Sequence, residues 1–400
     1  MNKDKLNVAV VGCGFVSSSY METIKSFPNF TLSGITDKIP ERIKNQAELY
    51  QVPTYESFEA VLEDENVDIV INLTDPENHF EVSKRALESG KHVYTEKPFC
   101  PELHQAEELV ALARSKNLKI ISAPCSLLGP TAQTLWKLLD ENTVGRVPLV
   151  YAEMDDGPVF LMNPQNWKSR AGAPWPYKGE FELGSALEHL GYTLSWLVAF
   201  FGPAVSVTAF SKALVPHKMP DMEAVQTPDF SVALITHASG VVSRVTCGIV
   251  APVDRGMRII GEEGVLSITD FWDIYEKPGY QKYSSLKLKA ERKPWIQNSW
   301  ILKKGFGIIP KKLALQTKPF HNKLNHTTMD YGLGIHDLSR AILEGKEPIL
   351  NMDFCLHVNE LTLKIHNSLE SGKVDQIENT FDHTALKARN REIYGYPITV

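Results

Sequence analysis

Short apolar runs alternate with charged segments of helical periodicity through the first 125 residues, and this alternation restricts the fold more than any other feature. The apolar runs have the length and composition of buried strands. Repeated strand–helix units pair their strands in parallel and cover both faces of the sheet with helices. We therefore expect a doubly wound parallel sheet over residues 1–125, with ligands bound beyond the carboxyl ends of its strands.

The first strand ends in a glycine-rich turn, VGCGFVS at residues 11–17. Because Gly14 has no side chain, a ligand can approach its backbone closely. A helix beginning near Phe15 would turn its free N–H groups toward an anion such as a pyrophosphate. Ser17 supplies the small third residue of the pattern, which also occurs in strand–helix turns that bind nothing. The residues predicted to contact a dinucleotide here are Gly12, Cys13, Gly14, Phe15 and Val16.

Asp37 follows the second strand, twenty-three residues after Gly14. A carboxylate at this point can accept hydrogen bonds from both ribose hydroxyls of an adenosine and repels a 2′-phosphate. Capping of the next helix is the alternative role for the same residue. Lys38 adjoins it and tolerates a phosphate, so NAD is favoured and NADP stays compatible.

The third and fourth strands end in the sequences NLTDPENH and YTEKPF. Thr74-Asp75-Pro76 alone predicts a turn, and Pro98 alone stops a strand. Both sequences nevertheless fall at the sheet edge where a nicotinamide would lie. Lys97 would bring a positive charge and hydrogen-bond donors close to a substrate hydroxyl.

These motifs, in this order and spacing, resemble the glucose–fructose oxidoreductase / inositol dehydrogenase / MocA family. The resemblance implies an N-terminal Rossmann domain and an NAD(P)-dependent oxidoreductase in which Lys97 contacts substrate and assists catalysis. The further residues it places at the cofactor are Thr74, Asp75, Pro76, His79, Glu96 and Lys97.

From about residue 126 the pattern changes to long stretches that alternate apolar and polar residues, as in SVALITHASGVVSRVTC. Alternation of this kind is typical of an antiparallel sheet with one face covered. We expect residues 126–400 to form an α+β domain with a large, open, mostly antiparallel sheet. The family resemblance implies that this domain binds substrate and forms a homodimer or homotetramer.

The segment 184–202, GSALEHLGYTLSWLVAFFG, corresponds to a family helix that carries a catalytic histidine. Anchored on its two terminal glycines, it puts Tyr192 at the histidine position and Glu188 at an upstream aspartate. Glu188, Tyr192 and Ser195 recur with spacing that places them on one helical face. A nearby Lys97 would lower the pKa of the Tyr192 phenol, and the two would form an acid/base pair.

A second anchoring of the same segment, on Gly191, makes His189 the acid/base. Both assignments therefore stay open, as does a purely packing role for Tyr192. Upstream, residues 163–184 are rich in Trp, Pro and Gly and predict a loop over the cleft. The residues predicted to contact substrate are Trp167, Lys168, Arg170, Glu188, Tyr192 and Lys97.

Residues 282–323 form a basic insertion with eleven Lys and Arg against one acid, Glu291. Its net charge is +10, so the rest of the chain, with −6 overall, carries −16. A solvated flexible insertion is one interpretation. The others are contact with an anionic substrate, a membrane surface or another subunit, and the lack of helical periodicity argues against the membrane.

Composition and charge argue against a nucleic-acid-binding protein, a membrane-spanning protein and a metalloprotein. The overall charge of −6 gives no reason to expect nucleic acid, and no apolar run is long enough to span a bilayer. Five cysteines without metal-ligand spacing, and no apolar leader, predict buried reduced thiols, a cytoplasmic location and no metal site.

Three functions fit these features. The first is hydride transfer to or from a secondary ring hydroxyl of a sugar, glycoside or polyol. The second is a redox-neutral enzyme that oxidises a sugar transiently with tightly bound NAD and cleaves a glycosidic bond by β-elimination. The third is a catalytically inactive regulator that binds a dinucleotide.

Overall fold

The computed structural model describes residues 4–317 and 329–395, and it contains the predicted parallel sheet. All neighbouring strands of this five-stranded sheet run parallel, in the order β2-β1-β3-β4-β5. Every residue of β3 is buried, so both faces of the sheet centre are covered. The strands are β1 (Leu6–Val11), β2 (Phe30–Thr36), β3 (Ile69–Asn72), β4 (His92–Thr95) and β5 (Ile120–Ser122).

Five helices connect or follow these strands, which confirms the doubly wound α/β arrangement. The first of them begins at Ser17, two residues after the predicted start. They are α1 (Ser17–Thr23), α2 (Pro40–Tyr50), α3 (Phe58–Glu63), α4 (His79–Glu88) and α5 (Leu103–Ser115).

The second sheet has nine strands in the order β13-β12-β11-β10-β6-β9-β8-β7-β14. Neighbouring strands are antiparallel except for β6 and β9, so the sheet is mostly antiparallel, as expected. The strands are β6 (Leu149–Asp155), β7 (Ala204–Lys212), β8 (Phe230–His237), β9 (Val242–Gly248), β10 (Met257–Ile260), β11 (Gly264–Ile268), β12 (Gly279–Lys282), β13 (Lys311–Lys312) and β14 (Val374–Gln376).

Helices cover one face of this second sheet. The helices of the second half are α6 (Pro130–Asp140), α7 (Tyr177–Leu183), α8 (Ser185–Phe201), α9 (Ser285–Glu291), α10 (Pro294–Gln297), α11 (Trp300–Gly305), α12 (Gly332–Glu344), α13 (Met352–His366) and α14 (His383–Tyr394). Short 3₁₀ turns lie at Ile24–Ser26, Pro76–Asn78, Ser126–Leu128, Val159–Leu161 and Pro164–Asn166.

Helix α8 packs on β6, β8 and β9, and α13 packs beside it on β7 and β8. Along β6, burial alternates residue by residue, because the opposite face of the sheet is open in the described chain. Buried apolar side chains from both sheets belong to one continuous core.

The cysteines and the basic insertion agree in part with expectation. All five cysteines are free thiols with buried side chains.

The insertion, predicted over residues 282–323, folds into α9, α10, α11 and strand β13, so the described part of it is ordered into short helices. Residues 318–323 lie outside the described residues.

Candidate active site

A cavity of about 680 Å³ lies between the carboxyl edge of the parallel sheet and helix α8. Parallel strands all present their carboxyl ends at one edge, so the segments after β1, β3 and β4 meet here. From the first sheet it is lined by Gly14, Phe15, Val16, Leu73, Thr74, Asp75, Pro76, His79, Glu96 and Lys97. From the second half it is lined mainly by Asp156, Trp167, Trp175, Glu180, Glu188, His189, Tyr192, Trp272 and Tyr331.

The two glycines of the first turn have different physical roles. Gly12 has a φ of +105°, and a Cβ there would lie 2.5 Å from the Leu73 carbonyl oxygen, so glycine is required by the protein itself. A Cβ on Gly14 would meet nothing within 4 Å. The space beside Gly14 is therefore open to a ligand, as the sequence predicted.

A second cavity, of about 690 Å³, adjoins the first and shares Gly14, Leu73, Thr74 and Asp75 with it. Asp37 lies in its wall. Two clefts joined at a glycine turn have the shape that a dinucleotide requires, with one half of the molecule in each cleft. The residues present therefore fit an NAD-type cofactor.

Asp37 also organises the turn. Its Oδ2 accepts a hydrogen bond of 2.6 Å from the Cys13 amide, and its Oδ1 accepts one of 2.8 Å from the Ile39 amide. Each carboxylate oxygen retains a free lone pair for a ribose hydroxyl. Three cations share the same cleft: Lys38, which was predicted, and Arg42 and Lys44, which were not. Arg42 and Lys44 lie on α2, which carries no local cofactor signal.

His79, predicted at the cofactor, lies in the wall of the cavity, but its ring contacts backbone groups. Its imidazole is fully buried, with Nδ1 2.7 Å from the Pro98 carbonyl oxygen and Nε2 3.0 Å from the Thr74 carbonyl oxygen. Both ring nitrogens are thus occupied by backbone groups. His79 instead braces the two loops that follow β3 and β4.

Glu96 is also occupied by the protein. Its Oε1 accepts a hydrogen bond of 2.6 Å from the Tyr20 hydroxyl, and its Oε2 accepts one of 2.9 Å from the Lys97 amide. The Cys13 thiol likewise faces inward, and burial raises its pKa to about 12. Glu96 lines the cavity together with Phe15, Val16, Asp75 and Pro76, whereas Cys13 does not.

Helix α8 presents Glu188, His189 and Tyr192 to the cavity. Ser195, predicted on the same face, lies beyond this group, and its hydroxyl donates to the Tyr192 carbonyl oxygen at 3.2 Å. The structure therefore brings both candidate acid/base residues, Tyr192 and His189, into one site.

Lys97 forms an ion pair with Glu188 across the floor of the cavity. The Glu188 side chain is 4% exposed and that of Lys97 is 20% exposed. Burial alone would lower the pKa of Lys97, but the nearby carboxylates of Glu188, Glu180 and Glu96 raise it above its usual value. Lys97 is therefore a permanent ammonium ion directed at the substrate cavity.

Glu180 is the main site residue that the sequence did not reveal. Helices α7 and α8 meet at Gly184, where φ is +94° and a Cβ would lie 2.6 Å from Thr227 Cγ2. This bend brings Glu180 back onto Glu188, and the two carboxyl groups share a hydrogen bond. Burial and the adjacent Glu188 carboxylate raise the pKa of Glu180 well above its usual range.

The expected effect of Lys97 on Tyr192 is wrong in direction. Burial, with Tyr331 and Glu96 nearby, raises the pKa of the Tyr192 phenol well above its usual value. The positive charge of Lys97 is balanced by Glu188 instead, because a carboxylate binds an ammonium ion more strongly than a phenol does. The Tyr192 ring packs edge-on against Trp272, with 5.5 Å between ring centroids.

His189 lies beside Tyr192 with a different set of neighbours. Its Nε2 is 3.8 Å from Asp156 Oδ2, and its Nδ1 is buried without a partner among the described residues. Burial lowers the pKa of His189, so the ring is neutral at pH 7. Asp156 itself is held by Arg255 at 2.9 Å.

The loop predicted over the cleft places aromatic residues inward and cations outward. Trp167 and Trp175 line the cavity, with their ring centroids 5.0 Å apart. Lys168 and Arg170 do not line it, contrary to expectation: Lys168 is exposed, and Arg170 pairs with Glu22 at 3.3 Å. The aromatic rings are the groups that gain by leaving water, while the charged ends stay solvated.

Comparisons with known proteins agree with this architecture. Residues 6–123 match the model of the oxidoreductase family with an NAD-binding Rossmann fold, and residues 132–267 match the GFO/IDH/MocA C-terminal domain. An uncharacterized oxidoreductase of Synechocystis is 27% identical over 273 residues, 65% of this chain and 71% of that one. Two other curated relatives align over only 42% and 33% of their length.

Solved structures share the fold of nearly the whole chain. The WlbA dehydrogenase of Bordetella pertussis, in complex with NADH and UDP-GlcNAcA, superposes with a TM-score of 0.70 at 17% identity, covering 96% of this chain and all of that one. The aldose–aldose oxidoreductase of Caulobacter crescentus, complexed with glycerol, gives 0.70 at 21% identity over 93% and 99%.

No helix in the described ranges has the length and apolar character needed to cross a membrane.

The two family matches cover consecutive parts of one chain, and the parallel sheet carries the glycine turn and the paired clefts of a dinucleotide site. The chain therefore belongs to the GFO/IDH/MocA family of oxidoreductases, and its first sheet with its helices is an NAD-binding Rossmann fold.

Proposed function

We propose that this protein is an NAD(P)-dependent oxidoreductase that acts on a secondary ring hydroxyl, or the corresponding ketone, of a sugar, glycoside or polyol. The observation that carries the proposal is the composition of one cavity. Residues of the cofactor turn, the Lys97–Glu188 ion pair and a wall of tryptophans all face the same space. Flat aromatic surfaces beside hydrogen-bonding carboxylates suit a polyhydroxylated ring.

Each residue of the cavity has its own role in this proposal. Lys97 directs its ammonium at the reacting oxygen and stabilises negative charge there. Tyr192 exchanges a proton with that oxygen, and Glu188 holds Lys97 in position. Trp167, Trp175 and Trp272 orient the sugar ring and exclude water. A nicotinamide held beside the glycine turn would supply or accept the hydride.

The resting protonation states favour reduction of a ketone. Lys97 is an ammonium and the raised pKa of Tyr192 keeps its phenol protonated, so both groups start as hydrogen-bond donors. A ketone oxygen needs donors, whereas an alcohol must lose its proton to a base. We infer that the protein reduces a ketosugar faster than it oxidises the alcohol at neutral pH.

The experiment that tests this proposal is a panel of sugars, ketosugars and polyols, read by nicotinamide absorbance and by mass spectrometry. Net conversion of NADH with a ketosugar supports the proposal. Product without net change in the nicotinamide identifies the redox-neutral, glycoside-cleaving alternative. Cofactor binding without turnover of any panel member identifies a regulator. The Lys97→Met variant is the control, since it removes the charge and keeps the length.

A further inference from the structure

The described part of the basic insertion forms a surface that its own fold does not cover. We define the basic apolar surface as the exposed side chains of residues 285–309, which comprise α9, α10 and α11, the segments that join them and the four residues after α11. Sixteen large hydrophobic side chains are exposed in the described chain, and six of them lie in these twenty-five residues. The six are Leu286, Leu288, Trp295, Trp300, Ile301 and Ile309.

These side chains are strongly exposed, not marginally so. Trp295 is 60% exposed, Trp300 is 63% exposed and Ile301 is 75% exposed. Trp295 and Trp300 are the two exposed tryptophans among the described residues. Exposed apolar side chains concentrated in one place mark an interaction surface, whereas singly scattered ones do not.

The insertion is built to hold this surface in place. Ser284 caps α9 by accepting a hydrogen bond from the Lys287 amide, and Ser299 caps α11 through the Leu302 amide. On the opposite side, Ala290 and Ile296 are buried. The short helices are thus anchored inward by small apolar contacts while the larger apolar residues point outward.

The charge on this surface is of one sign. Residues 282–317 contain nine Lys and Arg and a single acid, Glu291, whose carboxylate accepts a hydrogen bond from Gln281. Lys303 and Lys304 directly follow the exposed segment of α11, and the Lys304 ammonium lies 5.0 Å from the Trp300 ring centroid. The exposed apolar residues are therefore interspersed with cations, and Glu291 is the single acid among residues 282–317.

We propose that the basic apolar surface binds an anionic lipid bilayer from the outside, without crossing it. Tryptophan, leucine and isoleucine enter the boundary between headgroups and acyl chains, and lysines stay at the level of the phosphates. Neither contribution alone gives firm attachment, but the two together do. An acidic protein partner would bind the cations, but it would not account for the exposure of Trp295 and Ile301.

The experiment is sedimentation of the full-length protein with vesicles of phosphatidylcholine mixed with phosphatidylglycerol, against vesicles of phosphatidylcholine alone. We expect binding to the mixed vesicles only, weakened by added salt. The tryptophan emission should shift to the blue and be quenched by brominated lipid. Lys303→Glu combined with Lys304→Glu should weaken binding by more than about tenfold.

Two further variants keep the proposal falsifiable. Trp295→Ser combined with Trp300→Ser should abolish the blue shift, with the unfolding temperature unchanged because both rings are exposed. Lys373→Glu combined with Val374→Ser, at an exposed site far along the chain, is the matched control and should bind as wild type. Absence of binding to either vesicle overturns the proposal. If, in addition, the tryptophan variant loses a dimer seen for the wild type, the surface contacts a second copy of this chain.

Discussion

The ammonium of Lys97 and the carboxylate of Glu188 form a buried ion pair that joins the end of a Rossmann strand to the helix of the second domain. Neither group can be removed alone without leaving its partner's charge unpaired in a nearly dry site. The pair fixes where the ammonium points, and so where a substrate oxygen can be stabilised. Glu180, whose carboxyl group shares a hydrogen bond with Glu188, completes this cluster.

The first prediction concerns Glu180 and pH. Because its pKa is raised, Glu180 keeps its proton to higher pH than an ordinary glutamate, and on ionising it places a second negative charge beside Glu188. Activity in the reductive direction should therefore fall as pH rises through that pKa. Glu180→Gln keeps a neutral hydrogen-bond donor, so the rate of this variant near neutral pH should stay within a few-fold of wild type. The alkaline limb of its pH–rate profile, where the rate falls, should move to higher pH.

The same shift has a consequence for stability. Between the ordinary pKa of a glutamate and the raised one, the folded chain holds a proton that the unfolded chain has released, so the free energy of unfolding falls as pH rises. Glu180→Gln should lose less stability over that range in denaturant titrations. Glu182→Gln, on the exposed side of the same helix, is the control. An unchanged alkaline limb and an unchanged stability profile would contradict the account of this cluster.

The second prediction separates the two glycines of the cofactor turn. Gly14→Ala should leave the unfolding temperature unchanged, since nothing lies within 4 Å of the added methyl group, but should weaken NADH binding. Gly12→Ala should lower the unfolding temperature, because its φ is positive and its Cβ would collide with the Leu73 carbonyl. Calorimetry and fluorescence titration measure both quantities. If Gly14→Ala binds NADH as tightly as the wild type does, the dinucleotide does not bind at this turn.

The third prediction concerns the choice between NAD and NADP. Asp37→Asn should weaken NAD binding more than NADP binding, because the carboxylate accepts ribose hydroxyls and repels a 2′-phosphate. Arg42→Ala is the matched variant in the same cleft and should weaken NADP more than NAD. A wild-type preference for NADP of about tenfold or more would show that the cations outweigh Asp37.

The fourth prediction is a homodimer or homotetramer formed through the open face of the nine-stranded sheet. Leu234 is exposed on this face, where Arg244 also lies over the Tyr151 ring at 4.3 Å. Leu234→Asp should reduce the mass measured by light scattering to that of one chain. A wild-type monomer at micromolar concentration would refute this.

The position of the candidate cofactor cleft could be predicted from the sequence because each of its parts is local. A glycine turn, an acidic residue after β2 and an E-K-P sequence after β4 all lie at strand ends, and parallel topology alone brings strand ends together. Open space beside Gly14 follows from the residue itself. His79 shows the limit of this reasoning, because its position was right while its ring is occupied by two backbone carbonyls.

The substrate side could not be predicted to the same degree, because its contacts depend on distant segments. Glu180 reaches Glu188 only through the bend at Gly184, and Asp156 and Trp272 arrive from separate parts of the second domain. The partner of Lys97 was predicted as Tyr192 from its alignment with the family's catalytic histidine, and helical spacing puts both Tyr192 and Glu188 on one face. Spacing alone does not rank them, and the carboxylate competes better for an ammonium ion.

The central claim is that Lys97 and Tyr192, not His189, form the acid/base pair, and parallel kinetics of Tyr192→Phe and His189→Gln test it most directly. A positioned proton donor contributes roughly a hundred- to ten-thousand-fold in rate. Tyr192→Phe should therefore lower kcat by that order with NADH affinity unchanged, and His189→Gln should cost far less. If His189→Gln abolishes turnover while Tyr192→Phe stays within a few-fold of wild type, the claim is wrong and His189, beside Asp156, is the acid/base residue.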